Sequence, residues 1–378
     1  MTSPFTEEHE ELRASLRRFI ADRLRPHADE WERAHHFPDS VFTDMAAHGF
    51  LGLKYPEAIG GQGGTYLHDA VLAEELARCG SGGLAAGVGA HVGIATPPVF
   101  KFGTEDQHER YLRPAIGGEK IAALAITEPD AGSDVASLRT RATRVDGGWV
   151  VNGEKTFITN GVRAHFYVTA VKTTDDGGHH GISFLIVDQQ DAISASPLSK
   201  MGWHASDTGA VSFSDAFVPE ENLLGQENQG FYLIMANFQW ERLLMSLGAT
   251  MAMEVALEKT IAFTQERQAF GRPLTKHQKV RHELVDIATK LHAARCVTYD
   301  ALAKFVAGQE PVKEVTMAKL VTQRTSFEVM DTCLQLHGGA GYMQEYEIER
   351  MARDARLGPI GGGTDEIMKE ILGKVLAL

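Results

Sequence analysis

Three cysteines in 378 residues, Cys79, Cys296 and Cys333, are too few and too scattered for a disulfide framework, and no Cys-x-x-Cys pair suggests a zinc knuckle. Positive charge is also short, since 37 Lys and Arg against 50 Asp and Glu leave a formal net charge of −13. That balance does not draw nucleic acid or anionic lipid to the surface, so no nucleic-acid partner is expected. No run of roughly 18 apolar residues marks a membrane span, and the first residues lack the basic and apolar segments of a targeting signal. A cytoplasmic protein is expected.

Several catalytic signatures are missing too. Gly61-Gln-Gly63 and Gly339-Ala-Gly341 both lack the third glycine of a dinucleotide-binding fingerprint. Gly225-Gln-Glu-Asn-Gln-Gly230 is followed by Phe231 rather than the lysine of a phosphate loop, and no Gly-x-Ser-x-Gly elbow occurs. The 16 histidines, including His35-His36 and His179-His180, show no ligand spacing on one helix face, so no metal is expected.

The chain has ordinary globular composition, 43% hydrophobic and 23% charged, and enough length for two or three domains. Ser3-Pro4-Phe5-Thr6-Glu7-Glu8 reads as a capped helix start, and helical periodicity then runs to about residue 115 with breaks at Pro26, Pro38, Pro56 and Gly60-Gly61. From about 116 to 225 short alternating runs take over. Asp146-Gly147 and Asn152-Gly153 each predict a hairpin, and 166–171 and 182–187 read as strands. Helical periodicity returns near 230–265, 277–307, 311–337 and 364–376, four segments that would bundle. The expected fold is therefore α+β and multidomain: an N-terminal helical domain (1–115), a small β-barrel-like middle domain (116–225) and a C-terminal four-helix bundle (226–378).

Glycine and alanine are dense from Gly80 to Gly93, which either lets helices approach closely or leaves room for a ligand. Ile126-Thr127-Glu128-Pro129-Asp130-Ala131-Gly132-Ser133-Asp134 is a strand exit crowded with small hydrogen-bonding groups. Four further blocks follow it: Asn152 to Gly161, Arg267 to Gln278, Gln335 to Tyr342, and Arg353-Asp354-Ala355-Arg356. In order and spacing these five blocks, covering nearly the whole chain, resemble the acyl-CoA dehydrogenases.

That resemblance implies an FAD between the β domain and the bundle. By position Ile126, Thr127, Gly132 and Ser133 would contact the flavin, Phe157, Ile158 and Thr159 would support its ring, and Thr364 and Glu366 would meet the same cofactor. Phe157 stands where the family often has tryptophan. Arg267, Phe270, Leu274, His277, Gln278, Gln335, Gly338 and Gly339 would reach the FAD of a neighbouring subunit, which implies an oligomer, most often a homotetramer. The implied substrate is an acyl-CoA, with an acyl-carrier protein as the variant, and the implied acceptor is an electron-transferring flavoprotein.

One side chain departs from the common pattern. Many family members carry the catalytic glutamate directly before the Gly-Thr of the tail, where this chain has Gly362. The long-chain and isovaleryl branches resemble this sequence in having glycine there and a glutamate before Arg-Leu on the first bundle helix. Glu241 is then the implied base, Gly362 still offers its N–H to the thioester oxygen, and Ser133 and Arg242 are candidates for substrate contact. Taken alone, Glu241 would read as a solvated or salt-bridged helix glutamate, and the missing carboxylate at position 362 reverses that reading. Relatives that act on nitroalkanes, add oxygen or associate with DNA form the rival class, and a silent flavin-binding scaffold would need Glu241 to point away from the ring.

Overall fold

The computed structural model describes residues 4–174 and 178–378. Ser3, in the expected first cap, lies outside them. Thr6 caps α1 (Glu7–Phe19), its hydroxyl pairing with His9, and α2 (Ala28–Ala34), α3 (Ser40–Ala47) and α4 (Tyr66–Leu76) follow. Helix α5 (Gly82–Ala90) passes through a π-helical turn, His91–Ala95, into α6 (Thr96–Phe102), and short helices α7 (Glu105–Gln107) and α8 (Arg113–Ile116) complete the region. Gly82–Phe102 is one continuous helical stretch long and apolar enough to cross a membrane, which the sequence reading had not expected. Its apolarity is largely met by packing, since 67% of the apolar window is buried.

The middle region is a sheet of β1 (Ala122–Ala125), β2 (Arg141–Val145), β3 (Gly148–Ile158), β4 (Phe166–Lys172), β5 (Ile182–Asp188), β6 (Ile193–Pro197), β7 (Gly209–Pro219) and β8 (Leu223–Leu224). Strand order is β6-β7-β3-β2-β4-β5-β8, and β1 adds in parallel to β4. Asp146-Gly147 makes the expected hairpin, with Val145 opposite Gly148. Asn152-Gly153 does not. It sits inside β3, where the pairing with β7 slips between Val151 and Gly153. Gly153 has φ +144 and a side chain there would run into Thr140, so the dipeptide serves a bulge that bends the strand instead of reversing it.

Helices α9 (Gly230–Glu266), α10 (Gln278–Val306), α11 (Val312–His337) and α13 (Asp365–Val375) occupy the four predicted segments. A small hairpin, β9 (Gln268–Ala269) with β10 (Arg272–Pro273), links the first two, and a fifth helix, α12 (Ile348–Ala355), was not foreseen. The ends follow local chemistry: Pro311 precedes α11, Gly338 at φ +59 stops it, and the Thr364 hydroxyl caps α13 by accepting from the Ile367 N–H at 3.3 Å.

Candidate active site

Two pieces of the middle domain are tied together where a flavin is expected. The Thr156 N–H donates to the Thr127 carbonyl at 2.8 Å, and the buried Lys155 ammonium reaches the Ile126 carbonyl at 3.0 Å and Glu128 Oε1 at 2.8 Å. Glu128 also accepts from the backbone N–H groups of Arg139 and Thr140. Burial pushes the lysine down to about 8, while its ammonium and the donors around Glu128 outweigh burial and hold that carboxylate below its usual range. Sequence reasoning quoted both residues within their blocks and missed the pair. Lysine and glutamate 27 positions apart give no signal until the two strands are folded together.

Around the pair lie the residues that the resemblance assigns to an FAD surface. Ile126 and Ile158 are buried beneath it, Thr127 and Thr159 are half-buried, and Gly132 and Ser133 are exposed. Phe157 stands out with φ +61 and 69% of its surface exposed. A bulky residue in the left-handed region costs on the order of 1–3 kcal/mol and is characteristic of ligand clamps. An exposed apolar ring and the hydroxyls of Thr127, Ser133 and Thr159 are groups that a planar heteroaromatic with a polar chain could use.

In the C-terminal region, α9 carries Glu241. Ile234 and Phe238, two turns and one turn before it, pack in the same apolar cluster as Ile126, and Asn237 bonds the Ile94 carbonyl of the π-helical turn at 3.0 Å. These contacts fix the helix against both other domains. Glu241 is half-buried, but its Oε2 is cut off from solvent and has no hydrogen-bond partner. Among the described residues it forms no salt bridge, unlike the paired helix glutamate that was the alternative. Burial pushes its carboxyl up to about 7, opposed by Arg242 and Lys319.

The tail loop meets this carboxyl. A Cβ built on Gly362 would lie 3.7 Å from Glu241 Oε1 and 2.5 Å from Met245 Sδ. A side chain starting at position 362 and the one arriving from α9 therefore converge on one point, with Met245 filling the volume that glycine leaves. Gly362 and Gly363 have φ +62 and +96, and among the described residues their N–H groups make no hydrogen bond. Arg242 is buried and its Nε donates to the Gly362 carbonyl at 3.3 Å, so its bond goes to the protein itself. Thr364 and the exposed Glu366 begin α13 directly beyond the turn.

The remaining candidates gather elsewhere. Arg267 ends α9 roughly seven turns, on the order of 40 Å, beyond Glu241. Phe270 at the β9–β10 tip is 96% exposed, His277 accompanies it through a contact with the Ala269 carbonyl at 3.1 Å, and Leu274 bonds Arg267. Gln278 begins α10, and Gln335, Gly338 and Gly339 are exposed at the end of α11, where His337 stacks on Phe263 of α9. One chain therefore does not bring these residues to its own Glu241.

Comparison with known proteins agrees along the entire chain. The N-terminal, middle and C-terminal domain models of acyl-CoA dehydrogenase match residues 6–119, 123–216 and 228–377. An acyl-CoA dehydrogenase of Bacillus subtilis is 35% identical over 98% of both chains, and the mouse long-chain specific enzyme is 36% identical over 98% of this chain and 86% of its own. The crystal structure of an acyl-CoA dehydrogenase from Geobacillus kaustophilus superposes with a TM-score of 0.97 at 38% identity, covering all of both chains. More distant solved structures, at 27% identity, include an FAD complex of PigA (TM-score 0.94, all of both chains) and the prolyl acyl carrier protein oxidase AnaB (TM-score 0.95, 99% of this chain and 100% of its own). With its three domains matched in order and relatives similar from end to end, the chain belongs to the acyl-CoA dehydrogenase family of FAD-dependent oxidoreductases.

Proposed function

We propose that Glu241 is the base that removes the α-proton of an acyl-CoA thioester as the acyl chain is oxidised to its trans-2-enoyl form. The carrying observation is the convergence of its carboxyl with the space in front of Gly362. FAD, when bound, supplies the acceptor for the β-hydride. An α-proton of a thioester is weakly acidic, and a carboxylate stripped of water is a stronger base than one in solution. The free N–H groups at Gly362 and Gly363 suit the thioester oxygen, where negative charge develops. Arg242 is better read as a support of that turn than as a substrate contact, because its guanidinium already holds Gly362. Ser133, exposed beside the flavin surface, is retained as a substrate contact.

The acyl chain is proposed to run along α5. A Cβ at Gly89 would meet nothing within 4 Å, which leaves room, whereas Gly87 and Gly93 press against Phe37 and Leu244. The glycine-rich helix thus serves close packing at two positions and space at a third. The residues around Phe270 and Gly338 are proposed to complete a second subunit's FAD site in a homotetramer, with an electron-transferring flavoprotein as acceptor. Light scattering of Phe270→Asp tests the assembly, and an unchanged tetramer that keeps its flavin would refute that role.

The test of the base is anaerobic. The yellow protein should bleach with acyl-CoA, and Glu241→Gln should keep its colour and lose the bleaching. Bleaching at the parent rate in that variant would end the assignment. A carrier-protein substrate is the second reading, favoured by the fold shared with AnaB, and acyl-CoA against an acyl-phosphopantetheinyl protein as reductant separates the two.

A further inference from the structure

Lys319 on α11 has none of its surface exposed, yet among the described residues it has no carboxylate partner. Its ammonium donates instead to the Gly363 carbonyl at 2.5 Å, while Arg242 on α9 holds the Gly362 carbonyl. Two buried cations from two helices thus grip successive carbonyls of the turn whose N–H groups lie free. Four charged groups face Lys319 besides: Glu241 and Arg242 on α9, Asp365 and Glu366 on α13. Asp365 is already taken by Arg324 of α11, through contacts at 2.5 and 3.1 Å, and Glu366 is exposed at the helix start. Glu241 Oε2 and Asp365 Oδ1 are the buried carboxylate oxygens here without a hydrogen bond, and of the two groups Asp365 already holds a guanidinium on its other oxygen.

An unpaired buried ammonium is costly, and an apolar side chain of the same length would pack there without that cost. The charge therefore needs a reason. We propose that Lys319 is a positioning residue for the reaction, pinning the turn at Gly363 against Glu241 and lending that carboxylate a buried positive charge. This rests on Glu241 as the base. The field favours the ionised base before substrate enters, and the hydrogen bond keeps Gly362 and Gly363 in the left-handed conformations that aim their N–H groups.

The test compares Lys319→Met, which keeps length and loses charge, with Lys319→Arg, which keeps charge. Anaerobic bleaching gives kcat and KM across pH, and carbon NMR of glutamate-labelled apoprotein, with Glu241→Gln to identify the signal, follows the carboxyl without flavin or turnover. In Lys319→Met the Glu241 titration and the acid limb of kcat/KM should both move up by about half a pH unit or more, with kcat falling more than KM rises. In Lys319→Arg both should stay near the parent. If Lys319→Met does not fold, Lys319→Gln, which removes the charge and keeps a polar donor one atom shorter, carries the same comparison. An unmoved Glu241 titration in a folded, charge-removed variant overturns the proposal. A moved titration in a protein whose Glu241→Gln variant still bleaches would instead overturn the base and leave the coupling standing.

Discussion

Moving the base back to the tail tests the geometry at Gly362 and Glu241 together. In Glu241→Gln, a glutamate placed at 362 should reach the same point, but its Cβ would stand 2.5 Å from Met245 Sδ and its backbone would sit at φ +62. The useful variant is therefore Glu241→Gln/Gly362→Glu/Met245→Ala. A side chain in the left-handed region costs roughly 1–2 kcal/mol, and truncating the half-buried Met245 about 2 kcal/mol. A loss of about 3–4 kcal/mol is within what a folded chain of ordinary stability tolerates. Removing a general base lowers the rate by on the order of 10²–10⁴-fold, and the triple variant should regain at least about tenfold of that in anaerobic bleaching. The double variant that keeps Met245 should recover less or bind flavin poorly. A triple variant that is folded and yellow yet as inert as Glu241→Gln would refute the common-point reasoning.

Other outcomes follow from the same contacts. With the Glu241 carboxyl near 7, the ionised fraction rises with pH, so kcat/KM should increase about tenfold from pH 6 to pH 8; an acid limb near 4.5 would mean that the carboxyl is solvated. Glu241→Gln removes a buried unpaired charge, so its apoprotein should melt no lower than the parent at pH 8. Lys155→Met breaks a buried ion pair and should cost about 3–5 kcal/mol in chemical denaturation and weaken FAD retention, and full stability would show the pair to be idle. Gly89→Leu should keep the fold and lose activity on long acyl chains before short ones. Gly93→Leu should destabilise by about 1–3 kcal/mol because its Cβ would stand 2.2 Å from Leu244 Cδ1, and equal melting of the two would contradict the division between packing and space.

The three-part order of the fold was legible because helical and alternating periodicities occupy separate stretches, and the four bundle segments match to within a few residues. Asn152-Gly153 misled because the same dipeptide serves a hairpin or a bulge, and only the partner strand decides which. Membrane-like apolarity at Gly82–Phe102 is masked in the sequence because glycine and single polar residues dilute it. At the site, Glu241 and Gly362 could be paired through the family resemblance, but nothing local foretold Met245 in the gap or Lys319 behind the turn. Such residues act through distance in space, and both look like ordinary helix positions in the chain. The group around Phe270 shows the same limit at larger scale, since its purpose depends on a second copy.

The position of the Glu241 carboxyl relative to the reacting carbon decides whether it serves as the base. A crystal structure of the flavin-loaded protein with a non-oxidisable acyl thioester measures this directly. A carboxyl oxygen about 3 Å from the second carbon, with Gly362 or Gly363 N–H on the thioester oxygen, is the predicted result. A carboxyl turned away from that carbon, with another group in its place, would contradict it.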